Sequence, residues 1–405
     1  MLITPKQALE IVLATVRPLA SELVPLDEAA GRWLVSAVRA DRDQPPADRS
    51  AMDGYAVCAA DLEGGSNRLR LIGQVAAGSS ARPRVRRGTC AEVLTGANVP
   101  RGADAVVPVE QTAREGDRVV FQISPRPGLN IRKRGEEAAR GDMLLAAGTR
   151  LGAAEIGVCA TVGRARVKVR RAPGVAVLVT GAEVRTAADR VGPHQLRDSN
   201  GPELLAALGA QGLTARGPRI VRDDPTAIAA ALRRAVKSRE VVIVTGGVSV
   251  GRYDFVAEAV RRIGGKVRFH GVKMKPGKPQ LYATVGRNRH VFGLPGNPVS
   301  VLTGFFELVL PGLRRLAGAP AEACPPPAMR LPLAEPATSK GNRVYFCLAR
   351  LENASGGPAA VPVTSKGSAD LIAAARADGV IVIPSGTKRM SAGQLVEFHA
   401  WRPNP

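Results

Sequence analysis

Aromatic side chains are scarce, 3% of 405 residues, so the stacking platforms of a single-strand nucleic-acid binder are largely missing. Cysteine is equally thin. Cys58, Cys90, Cys159, Cys324 and Cys347 are scattered and never form a Cys-x-x-Cys pair, which argues against a disulfide framework or a structural zinc site. No uninterrupted apolar run reaches the ~18 residues of a membrane span, and the opening MLITPKQALEIV has no basic-then-apolar leader, so a cytoplasmic chain is expected. The glycine-rich VVIVTGGVSVGRYDF lacks the Gly-Lys-Ser/Thr ending of a nucleotide-binding P-loop. Acids are also short: 35 Asp and Glu against 57 Lys and Arg leave a net charge of +22. That balance suits anionic partners (nucleic acid, a membrane surface or phosphate-bearing small molecules), or is simply a solvated basic surface.

What is present points to an α/β multidomain chain. Thr4-Pro5-Lys6-Gln7 reads as a capping box with proline at the first helical position, followed by Ala8, Ile11, Val12 and Val16 at helical spacing. Residues 1–40 and 138–172 are expected to form a helical N-terminal and connecting domain, and 41–137, with short β-branched runs cut by Gly and Pro, a β-rich one. Residues 173–322 alternate strands and helices, the pattern of a doubly wound, mostly parallel α/β domain. The prolines of ACPPPAMRLPL then lead into a C-terminal β-barrel-like domain over 323–405.

In an open parallel sheet, ligands sit beyond the carboxyl ends of the strands, so the residues just after each strand carry the chemistry. These include Glu183, Asp223, Asp224, Ser249 and Asp254, then Pro295, Gly296 and Asn297. Three carboxylates at one edge suit Mg²⁺, an oxygen-seeking ion. Asp224, before Pro225 and a helix, reads better as an N-cap; Asp254 also stands at a helix start, and Asp223 stays open between ligand and turn residue. Lys275 and Lys278 flank a stiff Pro-Gly turn, which suits an oxyanion, although a plain hairpin tip reads the same way. Gly296-Asn297 before a helix offers amide N–H groups to an anion. Asp53 and Thr95 each look like ordinary turn residues, and His194, His270, His290 and His399 are unclustered and read as structural.

Taken in order, SAMDGYAV, LTGANVPRGADAVVP, NIRKRGEE, TGAEV, RDSN, IVRDDP, TGGVSVGRYDF, MKPGKP and FGLPGNPVS resemble the molybdopterin molybdenumtransferase family, the molybdenum insertases related to the gephyrin E-domain. The resemblance implies an elongated homodimer with an active site shared between subunits. It implies Mg²⁺-dependent cleavage of adenylylated molybdopterin to AMP, with molybdate entering the dithiolene; a molybdopterin adenylyltransferase is a possible partner. Carried over by motif, Glu183, Asp223 and Asp254 would position the metal and the nucleotide, and Lys275 and Lys278 would hold molybdate or phosphate. Asp53 and Thr95 would reach into the partner's cleft. Gly246, Gly247, Ser249, Pro295, Gly296 and Asn297 would shape the pterin pocket, joined by Arg343 and Ser368 from the last domain. Glu137, Ala182 and Arg252 depart from the family pattern, the last two by losing an acid beside the cleft. A rival reading is a non-catalytic scaffold that turns the basic surface to nucleic acid or protein; the scarcity of aromatics and the retained acids and lysines make nucleic acid the poorer partner.

Overall fold

Val175–Thr180 and Val241–Thr245 are buried along their whole length, as runs of apolar residues demand of parallel strands covered on both faces. They are the centre of a six-stranded sheet in the order Ala215–Val221, Val175–Thr180, Val241–Thr245, His290–Leu294, Leu281–Thr284, Lys266–His270. The first four pair in parallel, and Leu281–Thr284 runs antiparallel to both of its neighbours, so the doubly wound domain is there with a mixed sheet. Strand alternation sorts the side chains. Val175, Val177, Val179, Val241 and Ile243 face one core with Leu204 and Leu208 of helix Asn200–Ala210. Ala176, Leu178, Val242 and Val244 face the other, against Ile228 and Leu232 of helix Pro225–Ser238 and Val256 and Val260 of helix Phe255–Arg262.

The computed structural model describes residues 2–65, 67–81, 83–248, 255–354 and 356–402. The chain divides into one unit of Met1–Val35, Gly148–Gly152 and Arg166–Pro405 and another of Ser36–Ala147 and Ala153–Ala165. The stretch 1–40 is therefore split. Helix Pro5–Thr15 carries the capping box, with Gln7 N–H donating to Thr4 Oγ1 and Thr4 N–H to Gln7 Oε1. Its buried Ala8 and Val12 join the first core of the α/β sheet, beside Leu313 and Leu316.

After His290–Leu294 the chain forms helix Pro298–Gly304, a π turn over Phe305–Val309, and helix Leu310–Leu316. The wide turn has a local cause. Pro311 has no N–H to donate, and its ring would collide with the carbonyl four residues earlier, that of Glu307. The C-terminal sheet then runs Met274–Lys275, Val344–Ala354, Gly379–Ile383, Leu395–Ala400, Ala328–Pro332, with Gly357–Pro362 also paired to Val344–Ala354. Its edge strand, Met274–Lys275, comes from inside the α/β domain and pairs in parallel with Val344 and Tyr345.

The second unit is built on a six-stranded sheet ordered Ala105–Pro108, Gly54–Val57, Thr89–Val93, Arg68–Val75, Arg118–Phe121, Thr112–Glu115. A two-residue ladder joins Arg49–Ser50 to Ile131–Arg132. Helix Ala153–Thr161 also belongs to this unit. Among the described residues of the whole chain, no helix is long and apolar enough to cross a membrane, and all five cysteines are free.

Candidate functional site

Four parallel strands, Ala215–Val221, Val175–Thr180, Val241–Thr245 and His290–Leu294, deliver their following loops to a cavity of about 580 Å³ beyond the carboxyl edge of the sheet. Glu183, Asp223, Gly246, Gly247, Pro295, Gly296 and Asn297 all line it. Thr180 Oγ1 donates to Asp223 Oδ1 at 2.6 Å, which fixes that carboxylate at the mouth of the cavity. The neighbouring Asp224 caps the next helix, accepting from the N–H groups of Thr226 and Ala227, as expected.

Gly246 shows why a glycine-rich loop follows this strand. Its φ is +85°, and a Cβ there would lie 2.1 Å from the Thr180 carbonyl oxygen. Gly246→Ala is expected to destabilise the fold by at least ~1–2 kcal/mol, the cost of left-handed backbone before any clash is added. A shift of the urea midpoint measures it, and an unshifted midpoint would show that the loop relaxes freely. Ser249, Arg252 and Asp254, farther along the same loop, lie outside the described residues.

A second cavity, of about 430 Å³, shares Pro279, Pro295 and Asn297 with the first. Lys275, Lys278, Arg343 and Lys366 line it together with Ser300, Ser365 and Ser368, and among the described residues no carboxylate does. Pro276 and Gly277 at the tip are buried, so the two lysines flank a packed turn and not a free hairpin end. Lys275 Nζ lies 4.6 Å from the centre of the Tyr345 ring, a cation–π contact that steadies it. Arg343 Nη1 donates to the Met274 carbonyl at 3.4 Å.

The start of helix Pro298–Gly304 differs from the expectation of free amides. The Val299 N–H donates to the Ser368 carbonyl at 3.0 Å, and Asn297 Nδ2 donates to Ser368 Oγ at 2.8 Å. That end is therefore used to dock the C-terminal loop, which carries Ser368 and Lys366 to the cleft.

In the second unit, Asp53 and Thr95 meet across 42 positions: the Thr95 N–H and Oγ1 both donate to Asp53 Oδ1, at 2.6 and 2.7 Å. The Thr95 hydroxyl, and then its amide, hold the Asp53 carboxyl below the usual carboxylate range. In Thr95→Val the pKa of Asp53, followed by NMR titration, is expected to rise toward the ordinary value of 3.8; an unchanged titration would break the assignment. Thr95 also lines a cavity of about 710 Å³ with Arg42, Gln44, Arg49, Arg132 and Glu137. Gln44 Nε2 and Arg49 Nε are buried there without a partner, and Glu137 pairs with Arg132 at 2.7 Å.

Three family profiles match the chain: the MoeA N-terminal region (domain I and II) over residues 3–163, a probable molybdopterin binding domain over 176–315, and the MoeA C-terminal region (domain IV) over 330–401. A molybdopterin molybdenumtransferase from Nostoc sp. is 34% identical over 390 residues, covering 93% of this chain and 88% of the relative. One from Staphylococcus epidermidis is 32% identical over 376 residues, covering 92% and 89%. The chain belongs to the molybdopterin molybdenumtransferase family. As a member it is an enzyme, a transferase of molybdenum cofactor biosynthesis. Among solved structures, a molybdopterin biosynthesis MoeA protein from Pyrococcus horikoshii OT3 superposes with a TM-score of 0.83 at 28% identity, covering 99% of this chain and all of that one. The resemblance read from the motifs and the α/β multidomain fold class are both borne out.

For a molybdenumtransferase the cleft divides usefully: acids at the sheet edge, cations against the C-terminal domain. Among the described residues no three His, Cys, Asp or Glu side chains gather into a metal cluster. Glu183 and Asp223 nevertheless face one cavity and offer only oxygen, which fits Mg²⁺, an ion commonly held by one or two carboxylates plus substrate phosphate. Sequence reasoning missed Lys366 and Ser365, although they stand beside Ser368 in TSKGSADL. It also missed Gln44 and Arg49, whose only signal was their place just before SAMDGYAV.

Proposed function

We propose that this chain cleaves adenylylated molybdopterin and inserts molybdate into its dithiolene, releasing AMP. The observation that carries the reading is the polarised cleft, with Glu183 and Asp223 in one half and, among the described residues, Lys275, Lys278, Arg343 and Lys366 without a carboxylate in the other. A nucleotide-linked pterin and an oxyanion repel each other, so a site that joins them must neutralise both. Mg²⁺ held by Glu183 and Asp223, with Asp254 as a further carboxylate, would neutralise the phosphoanhydride oxygens. Gly246, Gly247, Pro295 and Gly296 give the pterin nucleotide a close-fitting backbone wall, and the lysines with Arg343 and Ser368 hold molybdate beside it. Water cleaves the phosphoanhydride P–O bond, giving AMP and molybdopterin. Two Mo–S bonds then form as one Mo–O bond breaks, its oxygen leaving as water with the two thiol protons.

In this reading the enzyme is a homodimer in which Asp53 and Thr95 complete the cleft of the partner subunit. The unpartnered donors of Gln44 and Arg49 fit contact with an anionic substrate. A molybdopterin adenylyltransferase is the natural supplier of the nucleotide. The test is incubation of the protein with adenylylated molybdopterin, molybdate and Mg²⁺, followed by measurement of AMP and reconstitution of a cofactor-free molybdoenzyme. Both signals are expected and both should fall on Mg²⁺ removal. Absence of both with the metal present would overturn the proposal, and full activity in chelator would overturn the metal's part in it.

A further inference from the structure

A cavity of about 330 Å³ lies away from the cleft and shares no lining residue with either of its halves. Its walls are apolar: Phe306 and Trp401 stack at 5.4 Å with ring planes 8° apart, and Leu310 and Met329 flank them. Phe306 lies on the π turn and Leu310 at its end, so the irregularity that admits Pro311 also shapes this wall.

The polar side chains here are unbalanced. Arg150, Arg314 and Arg402 line the cavity, and among the described residues no carboxylate does. Arg402 is engaged with Asp378 at 3.4 Å. Arg314 is mostly buried, donates only to the backbone carbonyls of Cys324 and Pro325, and feels the repulsion of Arg150. Among the described residues neither Arg150 nor Arg314 has a carboxylate within 4.0 Å. The Trp401 indole N–H is buried and, among the described residues, has no acceptor. A smaller chamber of about 150 Å³, walled in part by Trp33, adjoins through the shared Arg150, Ala210, Gln211, Leu310 and Arg314.

We infer that this cavity is a second binding site, for a small organic anion with a flat apolar body. The body would occupy the space beside the Phe306–Trp401 stack, the anionic head would lie against Arg150 and Arg314, and the indole N–H would donate to it. Two guanidinium groups and an unpaired indole donor supply what a carboxylate or phosphate head accepts, and the chamber has room for one ring. A neutral analogue would leave the cations unsatisfied.

Trp33 and Trp401 are the only tryptophans in the chain, and each lines one chamber, so intrinsic fluorescence reports directly on occupancy. Titration of the full chain with benzoate and with phenyl phosphate is expected to give saturable fluorescence changes. Inorganic phosphate and benzyl alcohol should bind at least about tenfold more weakly, because each lacks one half of the recognition; whichever of the first two binds tighter identifies the head group. Arg150→Gln, at an exposed position and with an unchanged urea midpoint as its folding control, should weaken benzoate about tenfold or more, and Trp401→Phe should remove most of the signal. Lys278→Ala in the distant cleft should change nothing. Benzyl alcohol binding as well as benzoate, or loss of binding in Lys278→Ala, would overturn the inference. So would a fluorescence change that tracks protein concentration and self-association, which would assign this face to a second copy of the chain.

Discussion

On the proposed function, Lys278→Ala is expected to lower kcat/KM for molybdate-dependent cofactor assembly by about 10²- to 10³-fold, the scale of one preorganised electrostatic contact, roughly 3–4 kcal/mol. The effect is large because the ammonium sits on a packed turn: Pro276 and Gly277 are buried beneath it, so little reorganisation accompanies its use. Lys366 and Arg343 remain in the variant, so the oxyanion still enters, and most of the loss should fall on kcat, with KM for molybdate rising less. Lys278→Arg keeps the charge but changes its reach, and should recover only part of the rate. Steady-state kinetics with varied molybdate checks this, and wild-type turnover in Lys278→Ala would remove the lysine pair from the site.

Glu307→Ala is expected to destabilise the chain by about 3–5 kcal/mol, the scale of breaking a buried ion pair by removing one partner. The π turn presents Glu307 to the C-terminal strand Leu395–Ala400, where both its carboxylate oxygens lie 3.0 Å from His399 Nδ1. His399 Nε2 meets Glu397 at 2.8 Å. Burial works against the imidazolium, but the bonds and charges of Glu307 and then Glu397 outweigh it and push the His399 pKa up to about 9 from 6.5.

That upward shift sets the sign of the pH dependence. A raised folded-state pKa means that the folded chain binds the proton more tightly, so this stabilisation is complete below pH 6.5 and lost as pH rises through about 9. Urea midpoints across that window should fall for the wild type and stay flatter for Glu307→Gln. Equal midpoints and parallel profiles would show that the pair does not hold the two domains.

These predictions draw on features of unequal visibility in the sequence. The strands at 175–180 and 241–245 announce themselves because burial on both faces leaves only apolar residues. The capping box at Thr4 and Gln7 and the N-cap at Asp224 are equally plain, since local backbone N–H groups dictate those side chains. Lys275 was visible as chemistry but not as architecture. A two-residue strand has no period to detect, and its partner, Val344–Ala354, is far along the chain. The Asp53–Thr95 bond was hidden for the same reason, because turn residues 42 positions apart carry no sign that they meet. His399, read as a lone structural histidine, proved to be clasped by two acids, one placed by a π turn that only the conflict at Pro311 could have suggested.

The two-residue strand at Met274–Lys275 also bears on how this enzyme can be divided. The loop that carries the lysines is sewn to the last domain, while the acids stay with the sheet. A chain ended within the proline-rich segment near Cys324 would keep Glu183, Asp223 and the glycines of the first cavity but lose Ala369 and Leu371 from its wall, and Arg343, Lys366 and Ser368 from the second. On the proposed function, exchanging the C-terminal domain between relatives is expected to alter oxyanion preference more than recognition of the pterin.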